Sequence, residues 1–260
     1  MDADFASVPS GGGERAYTRV DHGLVRVGNR WIERVWSGFS GCTTSLVQKQ
    51  GEFEWAAAKN PEFSIDVDGK TFGAEEFGEV EWSEACDNLG ASLVGIYRRS
   101  EVEVRLEHVA LHDAPALLRT TTIYNRGQNE VRIGPVITES FELDWPESCK
   151  YLMNLKTPGE PNAETRFTEV GAVIRGDRGF LLAALSNAEI VLNSKDLAAC
   201  SIRILSSEKL RSSQFVVPNV SILIAFEGDS NSSLIRDFPE IQRLLRLHER
   251  TKAKREREEE

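Results

Sequence analysis

"NPEFSIDVDGKTF", residues 60–72, decides between two kinds of protein. The spacing Asp66-x-Asp68-Gly69 matches the opening of a calcium loop, and two carboxylates this close also suit hydrolytic chemistry. A loop of the EF-hand type next needs an oxygen ligand two residues after Asp68, then a glycine, and a glutamate at the twelfth position. Those positions hold Lys70, Thr71 and Phe77. An ammonium group at a ligand position repels a cation, so the metal motif fails. The same residues satisfy a hairpin. Phe63, Ile65 and Val67 alternate as a strand, Asp68-Gly69 is the positive-φ pair of a two-residue turn, and Lys70-Thr71-Phe72 begins the return.

The same punctuation recurs along the chain. "GLVRVGNRWIERVW" (23–36) holds two β-rich runs about Gly28-Asn29, a second hairpin pattern. "SLVQKQ", "EVEW", "ASLVGIYRR", "EVEVRLEHVAL", the long stretch 117–145, "GFLLAAL", "EIVLN", "CSIRIL" and "SQFVVPNVSILIAFEG" follow, separated by Gly, Asn, Asp or Pro. No alternation of strand and helix appears, which excludes a doubly wound sheet or a complete α/β barrel. The pattern predicts an all-β, two-layer antiparallel sandwich. It also predicts a short C-terminal helix, where Pro239 precedes Ile241, Leu244, Leu245 and His248 at helical spacing and a mixed-charge run follows. The expected organisation is a flexible lead over 1–20 with Gly11-Gly12-Gly13, a β domain over 21–235, and the helix with its charged tail over 236–260.

With 260 residues the chain is long enough for a substantial core, and 28% charged residues against 40% hydrophobic is the balance of a water-soluble domain. A net charge of −10 opposes binding to nucleic acid and to an acidic membrane surface. No apolar run is long enough to span a bilayer and no export signal opens the chain, so a cytoplasmic location is expected. Cys42, Cys86, Cys149 and Cys200 are scattered without a Cys-x-x-Cys pair and read as buried thiols.

Candidate chemistry is sparse. His108 and His112 have i, i+4 spacing, but "VRLEHVALHDAP" reads as a strand running into a loop, where that spacing brings no two imidazoles together. No nucleophile elbow is present, and neither a metal site nor a cofactor site is expected. In "TESFELDW", Glu139, Phe141, Leu143 and Trp145 share one face and Ser140, Glu142 and Asp144 the other. Glu139 is therefore either a sheet-edge carboxylate that reaches water or a buried one that needs a partner or a function. Carboxylates beside aromatic rings suit carbohydrate, which nominates Glu139 with Trp145. Trp31, Trp36 and Trp82 read as core, whereas Trp55 in the loop-like "GEFEW" is the tryptophan best placed to be an exposed sugar platform.

The order of these pieces resembles a known family. "VGNRWIERVWSGFSGCTTSLVQKQ" looks like the opening of the β-supersandwich domain that precedes the catalytic barrel in melibiase-type α-galactosidases, with Asn29, the Ile32-Glu33-Arg34 strand and Gly41 to Leu46 as the matching parts. "PEFSIDVDG" resembles the next strand and its turn, and "APALLRTTTIYNRGQNEVRIGPVITESFEL" (114–143) the family's segment with P-x-L-R, I-x-N-x-G and V-x-I elements. "AFEGDSNSSLIRDFPEIQRLLR" (225–246) resembles the exit into a linker helix. The resemblance implies a β-supersandwich without the barrel that carries the catalytic aspartates. Its implied roles are to bind a galactoside-like carbohydrate or to dock on a glycoside hydrolase catalytic domain. Galactose mutarotases share the sheet architecture, and a mutarotase or epimerase using Glu139 with His108 or His112 is the alternative; their "HPYFN"-type segment is missing here. A purely structural interaction module is the third expectation.

Overall fold

Asp68 and Gly69 both take positive φ, 52° and 80°, and join the strands Ser64–Val67 and Lys70–Gly73 with Val67 opposite Lys70. The Asp66 carboxylate accepts the Gly69 N–H at 2.9 Å, which closes the turn locally. The acidic pair is hairpin chemistry. The computed structural model describes residues 15–21, 23–56, 60–143 and 207–227, and between them the segments 150–153, 157–159, 164–168, 170–175, 178–185, 188–193 and 198–204. The expected helix over 236–260 lies outside these residues.

All strand pairs among the described residues are antiparallel, in three sheets that pack as a sandwich. The first has five strands in chain order, Tyr17–Asp21, Leu24–Gly28, Ile32–Ser37, Thr43–Gln48 and Phe53–Glu54, so ordered β structure starts within the stretch expected to be a lead. The nine-stranded sheet runs Thr157–Gly159, Lys150–Met153, Val170–Arg175, Arg178–Leu185, Phe215–Glu227, Ala116–Asn125, Val102–Leu111, Gly90–Arg99, Glu81–Cys86. The third runs Glu164–Thr168, Ala188–Asn193, Ala198–Ile204, Val131–Leu143, Ser64–Val67, Lys70–Gly73, with Glu208–Leu210 also on Val131–Leu143.

One core joins them. Trp36 and Leu46 from the first sheet, Ile65 and Ile202 from the third, and Leu106, Leu117 and Leu223 from the nine-stranded sheet all belong to a single buried cluster. Asn29 ties the first hairpin to the large sheet. Its side-chain oxygen accepts the N–H groups of Trp31 and Ile32 at 2.9 and 3.1 Å, and its amide donates to the carbonyls of Leu111 and Ala114.

Register gives the large sheet two distinct faces. Leu93, His108, Arg119, Ser221 and Ala184 are neighbours in one row across five strands, turned toward the common core. One residue along, Val109, Leu118, Ile222 and Ala183 form a row on the opposite face. Among the described residues no helix is long and apolar enough to cross a membrane. Cys86 corrects the expectation of buried thiols: it is exposed, because Glu81–Cys86 is an edge strand turned largely to water, and Cys42 is half-buried. Cys149 and the side chain of Cys200 lie outside the described residues.

Candidate functional site

The charged residues that matter sit where the three sheets meet. Strand alternation places Arg34 on the same face as Ile32 and Trp36, and Arg119 on the same face as Leu117 and Thr121, so both guanidinium groups enter the core. Two bulges supply their partners. Ile137 pairs with Arg203 and Glu139 with Ile202, which leaves Thr138 as an extra residue and buries Thr138 and Glu139 in succession. Likewise Val35 pairs with Ser45 and Trp36 with Thr43, so Thr44 is extra and Thr43 is the residue turned inward. Glu62 is fixed from both sides, by the Thr43–Asn60 bridge before it and the strand Ser64–Val67 after it.

The result is a closed network. Arg34 donates through Nη2 to both oxygens of Glu62 at 2.9 and 3.0 Å and through Nη1 to Glu139 at 3.0 Å. Arg119 Nη1 lies 2.9 Å from Glu62 and 3.0 Å from Glu139, and its Nη2 donates to the Glu62 carbonyl at 2.6 Å. The Thr43 hydroxyl donates to Glu62 and accepts from Arg34 Nε, while the Ser221 hydroxyl lies 3.5 Å from Glu139. Arg34, Thr43, Glu62, His108, Arg119, Glu139 and Ser221 are all 0–3% exposed. Two guanidiniums face two carboxylates, so the charges balance. Each buried ion costs several kcal/mol of lost hydration, which only this density of short contacts offsets.

Titration follows the burial. Burial alone lowers the Arg34 guanidinium, and the Glu139 and Glu62 carboxylates outweigh it, so its pKa is raised. His108 is held well below its ordinary 6.5, first by burial and then by Arg119 and Arg34, and its ring is the neutral form. That ring lies tilted at 51° against Trp36 with ring centres 4.5 Å apart, and its Nε2 stands 3.9 Å from Glu62, beyond hydrogen-bond reach. Burial, then Glu62, pushes the Tyr97 phenol well up; it donates to the Gly41 carbonyl at 3.2 Å.

Both carboxylates of the network are met by donors, whereas His108 Nε2 and Arg119 Nε are buried without a hydrogen-bond partner. The network joins the three sheets through Arg34, Arg119, Glu62 and Glu139.

The sequence-nominated residues are spread apart. Glu139 does not reach water: it is buried and bound to two arginines, the outcome of the bulge at Thr138. Trp55 corrects the expectation of an exposed loop ring. "GEFEW" contributes the strand Phe53–Glu54, and Trp55 is 1% exposed, edge-on to Phe53 and Phe180. Its burial leaves no ring face for a sugar. Trp145 lies outside the described residues. His112 is apart from His108, accepting the Ala16 N–H at 3.2 Å through Nδ1. Beside the hairpin, Asp66, Asp68, Gly69, Arg132, Gly134, Pro135 and Ser207 line an open cleft of about 420 Å³. No aromatic ring lines it, so it lacks the stacking surface a pyranose uses. Sequence reasoning missed Arg34, Glu62 and Arg119 as members of the buried ion network. A charged residue at an inward position of an alternating strand could have found the arginines; nothing periodic marks Glu62.

No protein-family model matches the chain, and no curated protein does. Solved structures do match in fold. A galactose mutarotase-like protein from Lactobacillus casei aligns over 78% of this chain and 100% of its own, at 10% identity and a TM-score of 0.54. A putative aldose 1-epimerase from Klebsiella pneumoniae aligns over 87% of each chain at 10% identity, with a TM-score of 0.56. A GH36 α-galactosidase from Geobacillus stearothermophilus aligns over 82% of this chain but 41% of its own, at 8% identity and a TM-score of 0.58. The chain thus spans the whole of the first and under half of the last. The chain shares its fold with the galactose mutarotase-like protein, the putative aldose 1-epimerase and part of the GH36 α-galactosidase.

Proposed function

We propose that this chain is a non-catalytic β-supersandwich domain related to the one that precedes the barrel in α-galactosidases, and that it docks on a glycoside hydrolase catalytic domain or holds a galactoside-like carbohydrate. One observation carries the reading. The acid and base side chains of the interior, Glu62, Glu139 and His108, are sealed at 0–2% exposure and engaged with Arg34 and Arg119 or packed on Trp36. General acid–base catalysis requires such a group within hydrogen-bond reach of the sugar. A cluster built to neutralise itself supports a scaffold. Docking is favoured over sugar binding by the surface: Val20, Leu24 and Phe39 are exposed at one hairpin tip and its adjoining loop, and Phe39, at 72%, lies against Gly23. The Gly38 N–H donates to the Gly23 carbonyl at 2.7 Å and Trp82 Nε1 to the Gly38 carbonyl at 3.0 Å, which fixes the loop that presents the ring.

The test pairs two measurements. Affinity capture with the purified chain should recover a glycoside hydrolase catalytic domain, and Phe39→Ser should weaken that capture while leaving thermal stability unchanged. Polarimetry with glucose and galactose should record no mutarotation above the buffer rate. Mutarotation that Glu139→Gln abolishes would overturn the reading in favour of an epimerase.

A further inference from the structure

The two ends of the nine-stranded sheet are finished differently. At one end Thr157–Gly159 is three residues long and carries Pro158, which has no N–H to give to a further strand. At the other end Glu81–Cys86 is six residues long, about 20 Å of extended chain, and contains no proline and no lysine. Its register against Gly90–Arg99 is continuous, from Glu81 opposite Ile96 to Cys86 opposite Ala91, so no bulge turns it aside. A strand paired on one side directs alternate N–H and C=O groups outward on the other. Among the described residues none bonds to those outward groups, and every residue of the strand except Trp82 is exposed.

The strand is also firmly held. Trp82 packs its ring against Trp36 and Tyr97 and donates through Nε1 to the Gly38 carbonyl at 3.0 Å. Opposite it, Gly95 leaves the room the ring needs, since a Cβ there would lie 2.9 Å from the indole. A template fixed in advance loses little conformational freedom when a second strand joins it.

Charge decides which strand can join. Glu79, Glu81, Glu84 and Asp87 are exposed on or beside this edge, and no lysine or arginine occurs between Thr71 and Tyr97. Arg98 on the neighbouring strand answers Glu81, which is still 65% exposed. Two copies of this edge laid side by side put Glu81 and Glu84 of both along one seam, and like charge opposes that pairing. A segment with lysine or arginine at the facing positions is favoured instead. Register fixes the spacing. Glu84 lies opposite Leu93, in the row turned toward the core, and Glu81, opposite Ile96, is turned to the other face. Cations that meet both must stand three residues apart and point to opposite faces of the added strand.

We propose that the open edge of Glu81–Cys86 is a strand-addition site for an extended segment of a partner protein with Lys or Arg at positions i and i+3. The edge takes no part in the buried network of Arg34, Glu62, Arg119 and Glu139, so the site is the same for a docking domain and for a sugar-holding one.

The probe is a synthetic eight-residue peptide of alternating threonine and valine with lysines at its third and sixth positions, titrated into the 15N-labelled full chain. Amide shifts should centre on residues 81–86. Affinity should fall about tenfold for the double variant Glu81→Lys/Glu84→Lys, whose positions are exposed, and a peptide with glutamates in place of the lysines should show the reverse preference. N-methylation separates strand addition from charge attraction alone, because only every second amide of an added strand faces the edge. Methylating one alternate set of peptide amides should abolish binding, and methylating the other should leave it intact. Equal loss from both sets, shifts confined to other residues, no binding, or unchanged affinity for the double variant would overturn the proposal.

Discussion

Asp66 and Asp68 sit at an open hairpin tip, while Glu62, on the same short segment, sits with no exposed surface at the centre of the molecule. The tip carboxylates act locally, Asp66 on the Gly69 N–H three residues away and Asp68 on the Arg132 N–H of the next strand. Those of Glu62 meet Thr43, Arg34 and Arg119, which are 19, 28 and 57 residues distant. What a carboxylate does is therefore set by which donors the chain brings to it. A turn needs one nearby N–H; a buried charge needs several donors from several sheets.

Removing a donor from the centre should have the largest effect. Arg119→Met leaves Glu62 and Glu139 short of charge in a sealed site and should cost about 3–5 kcal/mol, measured by urea denaturation. A loss below about 1 kcal/mol would put the network on a par with exposed ion pairs. An intermediate effect is expected with acid. His108 is neutral when folded and binds a proton near pH 6.5 once unfolded, so the unfolded chain holds more protons below that pH. Its contribution is level above pH 6.5 and stability falls below it, by about 1.4 kcal/mol per pH unit until the lowered folded pKa is reached. His108→Gln should flatten that part of the stability–pH curve, and an unchanged slope between pH 6 and 5 would contradict the assignment. The smallest effect belongs to the tip. Gly69→Ala meets no atom within 4 Å, so only the positive φ opposes it, and the loss should be about 1 kcal/mol.

Legibility divides along the same line. The hairpin was readable because Asp68-Gly69 and the alternation of Phe63, Ile65 and Val67 are adjacent-residue chemistry, and the antiparallel class followed from repeating that test along the chain. Glu139 was readable as a problem, a carboxylate on an apolar face, but its solution was not. The extra residue at Thr138 that turns it inward is a property of pairing with Ala198–Ile204, which no local window contains. Trp55 misled for a related reason. "GEFEW" carries a glutamate on each side of Phe53, and the burial of Trp55 depends on Phe180 arriving from another sheet. Glu62 left no local trace, since it precedes its strand and follows a proline.

The span of these contacts also bears on how the protein is made. Arg34 and Glu139 are separated by 105 residues, so on a ribosome adding about 5–20 residues per second the arginine waits on the order of 5–20 s for its second carboxylate. Arg119 and Ser221 come from strands that emerge later than Glu62, and Ser221 follows Glu139 by a further 82 residues. The centre can close fully only once Ser221 is present. A nascent chain halted before residue 139 carries Arg34 and Glu62 with part of their partners missing, and it must keep them hydrated. Non-local pairing of this kind is closed late, and partial chains keep apolar surface exposed until then.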